Sequence, residues 1–134
     1  MLSTVPEEAV AVVRRADQRT HETPNAVMTT LASPTLGGAA QSLWQVRMRP
    51  GQAGPDHVMD VEQVWTVVDG GMTLRTADGE SVLTAGDTAV LPAGVDRRVV
   101  ADPERGLSAL VTGSGSGRAL LPDGTDRGVP DWVR

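Results

Sequence analysis

From Gln41 onward the chain is a succession of short apolar runs, each stopped within a few residues by glycine, proline or aspartate, and this punctuation limits the folds open to it. The stretch "QSLWQVRMRPG" sets Ser42, Trp44, Val46 and Met48 on one side of an extended chain and Gln45, Arg47 and Arg49 on the other, until Pro50-Gly51 ends it. "EQVWTVVDGG", "MTLRTADGESVL", "DTAVLPAG", "RRVVAD" and "LSALVTG" follow in the same manner. Asp78-Gly79 has the composition of a two-residue hairpin turn. No long stretch repeats with the helical period. Composition points the same way: without Phe, Ile or Tyr, the core must be built from Val, Leu, Ala, Met and three Trp, a mixture that favours strands. An all-β antiparallel sandwich or barrel is the expected fold.

The 134 residues suit a single domain over 1–134, with a core barrel at about 41–112, an N-terminal arm at 1–37 and a C-terminal tail at 113–134. "TVPEEAVAVVRRADQ" reads either as a short helix capped by Thr4 or as a strand through Val10 and Val12. "ETPNAVMTTLASPTLGG" reads as an extended arm and turn, suited to joining a neighbour's sheet edge in a homodimer. The tail begins as a flexible "GSGSG" linker, includes an edge strand at Arg118 to Leu121, and ends near an anchoring Trp132. The absence of cysteine excludes disulfides, thiol catalysis and thiolate metal sites. A net charge of −5 with no basic cluster argues against nucleic-acid and anionic-membrane partners. No apolar run reaches the roughly 20 residues of a membrane span, and the start has no cationic segment before a hydrophobic one, so a cytoplasmic location is expected.

Two spaced motifs stand within the strand region. In "GQAGPDHVMDVEQVWTVVDG" Gly51, His57, Gln63 and Gly70 are spaced as in the first motif of the cupin family. In "GDTAVLPAGVDR" Gly86, Pro92 and Gly94 are spaced as in the second. The chain therefore resembles small single-domain cupins over roughly Ser42 to Thr112. The resemblance implies a double-stranded β-helix, or jelly-roll, barrel that pairs into a homodimer and binds a small-molecule ligand.

The same resemblance places His57, Met59, Gln63 and Arg97 at the four positions that hold a metal in typical cupins. Of these, His57 alone is an ordinary ligand. Met59 offers a thioether, Gln63 a neutral amide and Arg97 no lone pair, whereas a catalytic metal site needs about three imidazole, carboxylate or thiolate donors. Asp60 and Glu62 fall on the opposite face of an extended strand. No metal and no other cofactor is expected.

What stands in place of the metal has its own chemistry. His57 titrates near neutral pH and suits a general base. Arg97 suits a carboxylate or a developing enolate, and Gln63 suits ligand orientation. Trp44, Met48, Met59 and Trp65 would wall an apolar ligand site. Each residue also has a plainer reading: His57 as a satisfied packing histidine, the Trp and Met residues as core, and Arg98 rather than Arg97 as the inward arginine. Three functions remain open. The first is a metal-free cyclase, isomerase or lyase of bacterial specialised metabolism, acting on an anionic or carbonyl-bearing substrate with His57 and Arg97 as catalytic groups. The second is a non-catalytic metabolite-binding or sensing barrel. The third is a metal-dependent dioxygenase.

Overall fold

The structure, a computed structural model, describes residues 10–134. The proposed cap at Thr4 lies outside the described residues. Of the rest of that segment, Val10–Arg14 forms neither helix nor strand and Arg15–Asp17 forms a single 3-10 turn. Eleven strands follow: β1 (Arg19–Glu22), β2 (Val27–Ala32), β3 (Gln41–Met48), β4 (Val58–Met59), β5 (Gln63–Thr76), β6 (Gly79–Thr84), β7 (Thr88–Leu91), β8 (Arg98–Ala101), β9 (Leu107–Ser114), β10 (Ala119–Leu120) and β11 (Asp126–Gly128). Every strand pair is antiparallel. The fold is a jelly-roll barrel.

Its principal sheet runs β1-β2-β3-β9-β5-β6, with β7 and β8 also pairing with β5, and a small sheet β11-β10-β4 lies beside it. β5 organises the barrel. Its first half pairs with β7 and β9 and its second half with β6 and β8, so one continuous strand belongs to both walls. Alternation sets which side chains face in: Ser42, Trp44, Val46 and Met48 on β3, Gln63, Trp65 and Val67 on β5, and Leu107, Ala109 and Val111 on β9 are all buried. Between Val67 and Asp69 the β5–β9 register slips, and Val68 is turned outward.

Five local expectations are corrected. The arm is not a detached strand for a neighbour, because β2 pairs with β3 and β1 with β2, completing this chain's own sheet; β1 is left as its edge. The barrel is consequently wider than 41–112, and Val133 also belongs to its core. The "GSGSG" stretch is packed rather than flexible. Gly113 and Ser114 end β9, and a Cβ at Gly117 would lie 2.5 Å from Val61 Cγ2, so these residues are small because neighbours press on them. The β5–β6 hairpin turns one residue earlier than expected: Thr76 pairs with Gly79, so Ala77 and Asp78 form the tip and Gly79 takes the positive φ of 125°. A strand does stand within Arg118 to Leu121, as β10, but it is not an edge: it is the middle strand of the small sheet, bonded to β4 on one side and β11 on the other.

Candidate functional site

The interior of the barrel holds a cavity of about 410 Å³. Its inner wall comes from three places in the chain. β3 contributes Trp44, Val46 and Met48; the segment entering β4 contributes His57 and Met59; the start of β5 contributes Gln63 and Trp65. Backbone pairing fixes them. His57 and Arg97 exchange both main-chain hydrogen bonds, at 3.1 and 3.0 Å, and Gln63 is held between Leu91 of β7 and Gly113 of β9. The missing side chain of Gly113 makes room for Gln63, whose Cγ would lie 3.2 Å from a Cβ placed there.

Polar groups are few and closely specified. Gln63 Oε1 accepts two hydrogen bonds, from Arg97 Nη2 at 2.8 Å and from Trp65 Nε1 at 3.2 Å. Arg97 is 1 % exposed, and besides Gln63 its side chain meets the Val95 carbonyl through Nη1 at 3.4 Å, while Nε is buried with no partner among the described residues. Loss of hydration pulls this guanidinium down to about 10, against a partial opposing effect of neighbouring Asp96. His57 Nδ1 lies 3.0 Å from the Pro55 carbonyl. A carbonyl only accepts, so Nδ1 carries a proton. Burial holds His57 below its usual value, with the Pro55 bond raising it and the Arg97 charge lowering it further. The ring is therefore neutral at pH 7, and its lone pair sits on Nε2.

His57, Met59, Gln63, Trp44, Met48 and Trp65 all line the one cavity. Arg97 does not. It points inward, which settles the choice against Arg98, a half-buried residue bonded to the Gly54 carbonyl at 3.0 Å. Its guanidinium, however, is taken up behind the wall by Gln63 and Val95, and the carboxylate-holding position foreseen for it is corrected on that account. The arm and tail supply residues that sequence reasoning missed: Thr23, Asn25, Arg127 and Trp132 complete the wall. Arg127 is exposed while lining the cavity, which places it at the mouth, and its side chain has no partner among the described residues. Trp132 had a signal, since a tryptophan in a chain so poor in aromatics is rarely left in solvent. Arg127 had none.

Residues 44–113, more than half of the chain, match the profile of the cupin domain family. The chain belongs to the cupins. A search of curated proteins finds no significant match. Among solved structures, an RmlC-like cupin from Shewanella frigidimarina is 22% identical over 77% of this chain and 88% of its own, with a TM-score of 0.65. KdgF from Halomonas is 17% identical over 78% of this chain and 93% of its own, TM-score 0.64. A sugar phosphate isomerase of the cupin superfamily from Silicibacter pomeroyi is 24% identical over 72% and 66%, TM-score 0.58. At these identities the structural likeness shows the shared fold and nothing further.

The donor set of this cupin does not fit a metal of the kind that typical cupins hold. Gln63 Oε1 is already engaged by two donors, Met59 offers sulfur alone, and a buried guanidinium stands immediately behind them. Asp60 and Glu62 are exposed on the outer face, and Asp60 accepts from the Arg118 main chain at 2.7 Å. No group of three His, Asp or Glu converges anywhere among the described residues. None of their helices is long and apolar enough to cross a membrane.

Proposed function

We propose that this cupin binds a small carbonyl-bearing anion and transforms it by proton transfer without a metal, as an isomerase, cyclase or lyase would. The observation that carries the reading is the state of His57: with Nδ1–H committed to the Pro55 carbonyl, the neutral ring keeps a lone pair on Nε2, the nitrogen with no partner among the described residues, in a residue of the cavity wall. In that role Nε2 takes a proton from the carbon beside a carbonyl, the electron pair of the broken C–H bond becomes a carbon–carbon π bond, and the carbonyl π pair moves onto the oxygen. The enolate so formed is stabilised by an N–H of Gln63. Where the deprotonated carbon bears a hydroxyl, return of the proton to the former carbonyl carbon, with the hydroxyl proton passing to the enolate oxygen, isomerises the substrate; expulsion of a leaving group on the β-carbon, with re-formation of the carbonyl, makes it a lyase. Arg127 at the mouth suits a carboxylate, and the tryptophans and methionines suit an apolar body.

The test is hydrogen–deuterium exchange beside the carbonyl of 2-oxo-4-phenylbutanoate in D2O, followed by proton NMR. The protein should accelerate exchange above buffer, and His57→Gln should remove on the order of 10²–10⁴ of that acceleration. The rate should climb with pH through a titration below about 6.5, since the active form is the neutral ring and burial lowers its pKa. Exchange at the buffer rate, or exchange indifferent to His57→Gln, overturns the catalytic reading. Binding without exchange would favour the second reading, a metabolite-binding barrel, for which the largely apolar wall also speaks.

A further inference from the structure

Arg97 is the largest unexplained expense in the barrel. A guanidinium at 1 % exposure meets no carboxylate: the ion pairs among the described residues are Arg75–Glu80 and Arg118–Asp126, both on the surface. A leucine would fill comparable space without desolvating a charge. The partner it does have explains its presence.

Guanidinium and indole N–H groups donate and never accept. The Gln63 atom that faces both, at 2.8 and 3.2 Å, must therefore be the amide oxygen. Turning the amide over would set its NH2 against two donors and lose both hydrogen bonds; at roughly tenfold in population for each net bond, the flipped amide is about one in a hundred. The amide nitrogen is then the end left over. It has no partner among the described residues, it is not among their buried unpartnered atoms, and its residue forms part of the cavity wall.

We propose that Arg97 is a positioning residue that locks the Gln63 amide with its NH2 toward the cavity, so that the cavity selects ligands presenting a bare oxygen, that of a ketone, aldehyde or carboxylate, at its polar end. This rests on the reading of the cavity as a small-molecule site and needs no catalysis. Two arrangements support it. Trp65 adds a second donor to the same oxygen from two residues along β5, so the lock is built into strand geometry. Gly113, opposite Gln63, leaves the space the side chain needs.

The experiment compares two near-isosteric neutral probes, 4-fluoroacetophenone and 4-fluoro-α-methylstyrene, by fluorine NMR titration. The quantity read is the ketone-to-alkene affinity ratio, which cancels the shared apolar contribution when variants are compared. Measured against Trp65→Phe, in which Arg97 alone holds the oxygen, the ratio should fall about twofold in Trp65→Phe/Arg97→Leu, where neither donor remains and the amide is free to turn. Relative to the wild type, it should fall at least as far in Gln63→Glu, whose carboxylate pairs with Arg97 and has no N–H to give. In the wild type, the Gln63 side-chain NH2 resonances should move with the ketone and stay still with the alkene, a readout that survives if a variant fails to fold. An unchanged ratio in folded variants, or NH2 resonances indifferent to the ketone, overturns the lock while leaving the cavity a ligand site. Failure of both probes to bind the wild type overturns the reading of the cavity itself.

Discussion

Two arginines belong to this site and are held in opposite ways. Arg97 is buried behind the inner wall, bonded to neutral oxygens of Gln63 and Val95, and excluded from the cavity. Arg127 stands exposed at the mouth on β11, with its neighbour Asp126 tied to Arg118 at 2.9 Å and its own guanidinium uncommitted among the described residues. The contrast separates two uses of one side chain. A cation in a dry interior is worth most as a fixed donor that orders another group, whereas a cation beside water keeps its freedom and meets an arriving anion. The inner wall is accordingly preorganised and the mouth adaptable.

The largest effect should come from breaking the inner arrangement from one side only. Gln63→Leu leaves Arg97 buried with a single 3.4 Å carbonyl contact and should cost about 3–5 kcal/mol of stability in urea unfolding. Arg97→Leu removes the charge itself and should lie within about 1 kcal/mol of the wild type or above it, because the remaining amide is neutral and keeps its Trp65 bond. Combining the two should recover most of the loss. If Arg97→Leu proves as damaging as Gln63→Leu, the guanidinium is a structural keystone and the contrast fails.

At the mouth the pattern should reverse. Arg127→Ala should leave stability within about 0.5 kcal/mol while weakening 2-oxo-4-phenylbutanoate binding about tenfold at low ionic strength, with less difference as salt is added. Equal losses for this acid and its neutral amide would show that Arg127 contributes contact rather than charge. The smallest effect concerns His57. Burial lowers its pKa in the folded protein, so as pH falls below about 6.5 the unfolded chain takes up the proton first, and stability is lost from there down through the folded-state value. Thermal unfolding across this range should be less pH-dependent in His57→Gln than in the wild type.

The inner wall was largely legible in the sequence, and the mouth was not. The inward row Ser42, Trp44, Val46 and Met48 follows from period two alone, and His57 and Gln63 were reached through motif spacing, because both signals live within a few residues of chain. That Arg97 faces in is of the same kind. That it stops short of the cavity is not, since this depends on where a side chain 34 residues away presents its oxygen. The mouth fails for a similar reason. Arm and tail meet only because β2 pairs with β3 while β10 pairs with β4, and composition suggested a loose arm and a loose linker where strands and tightly packed glycines stand. Gly117 illustrates the ambiguity, because a glycine kept small by Val61 and a glycine in a flexible spacer read identically in one sequence.

The long strand β5 has a bearing on how the molecule breathes. Its amides are bonded to β6, β7, β8 and β9, so no small fluctuation frees them, and their exchange with solvent hydrogen reports opening of the whole barrel. Gln63 begins that strand. β11 has one neighbouring strand, the two-residue β10, to which the Arg118–Asp126 pair also ties it. Amides of β11 should therefore exchange with solvent well before those of central β5, so that the mouth is the softer end of the barrel and the wall beside Gln63 the firmer.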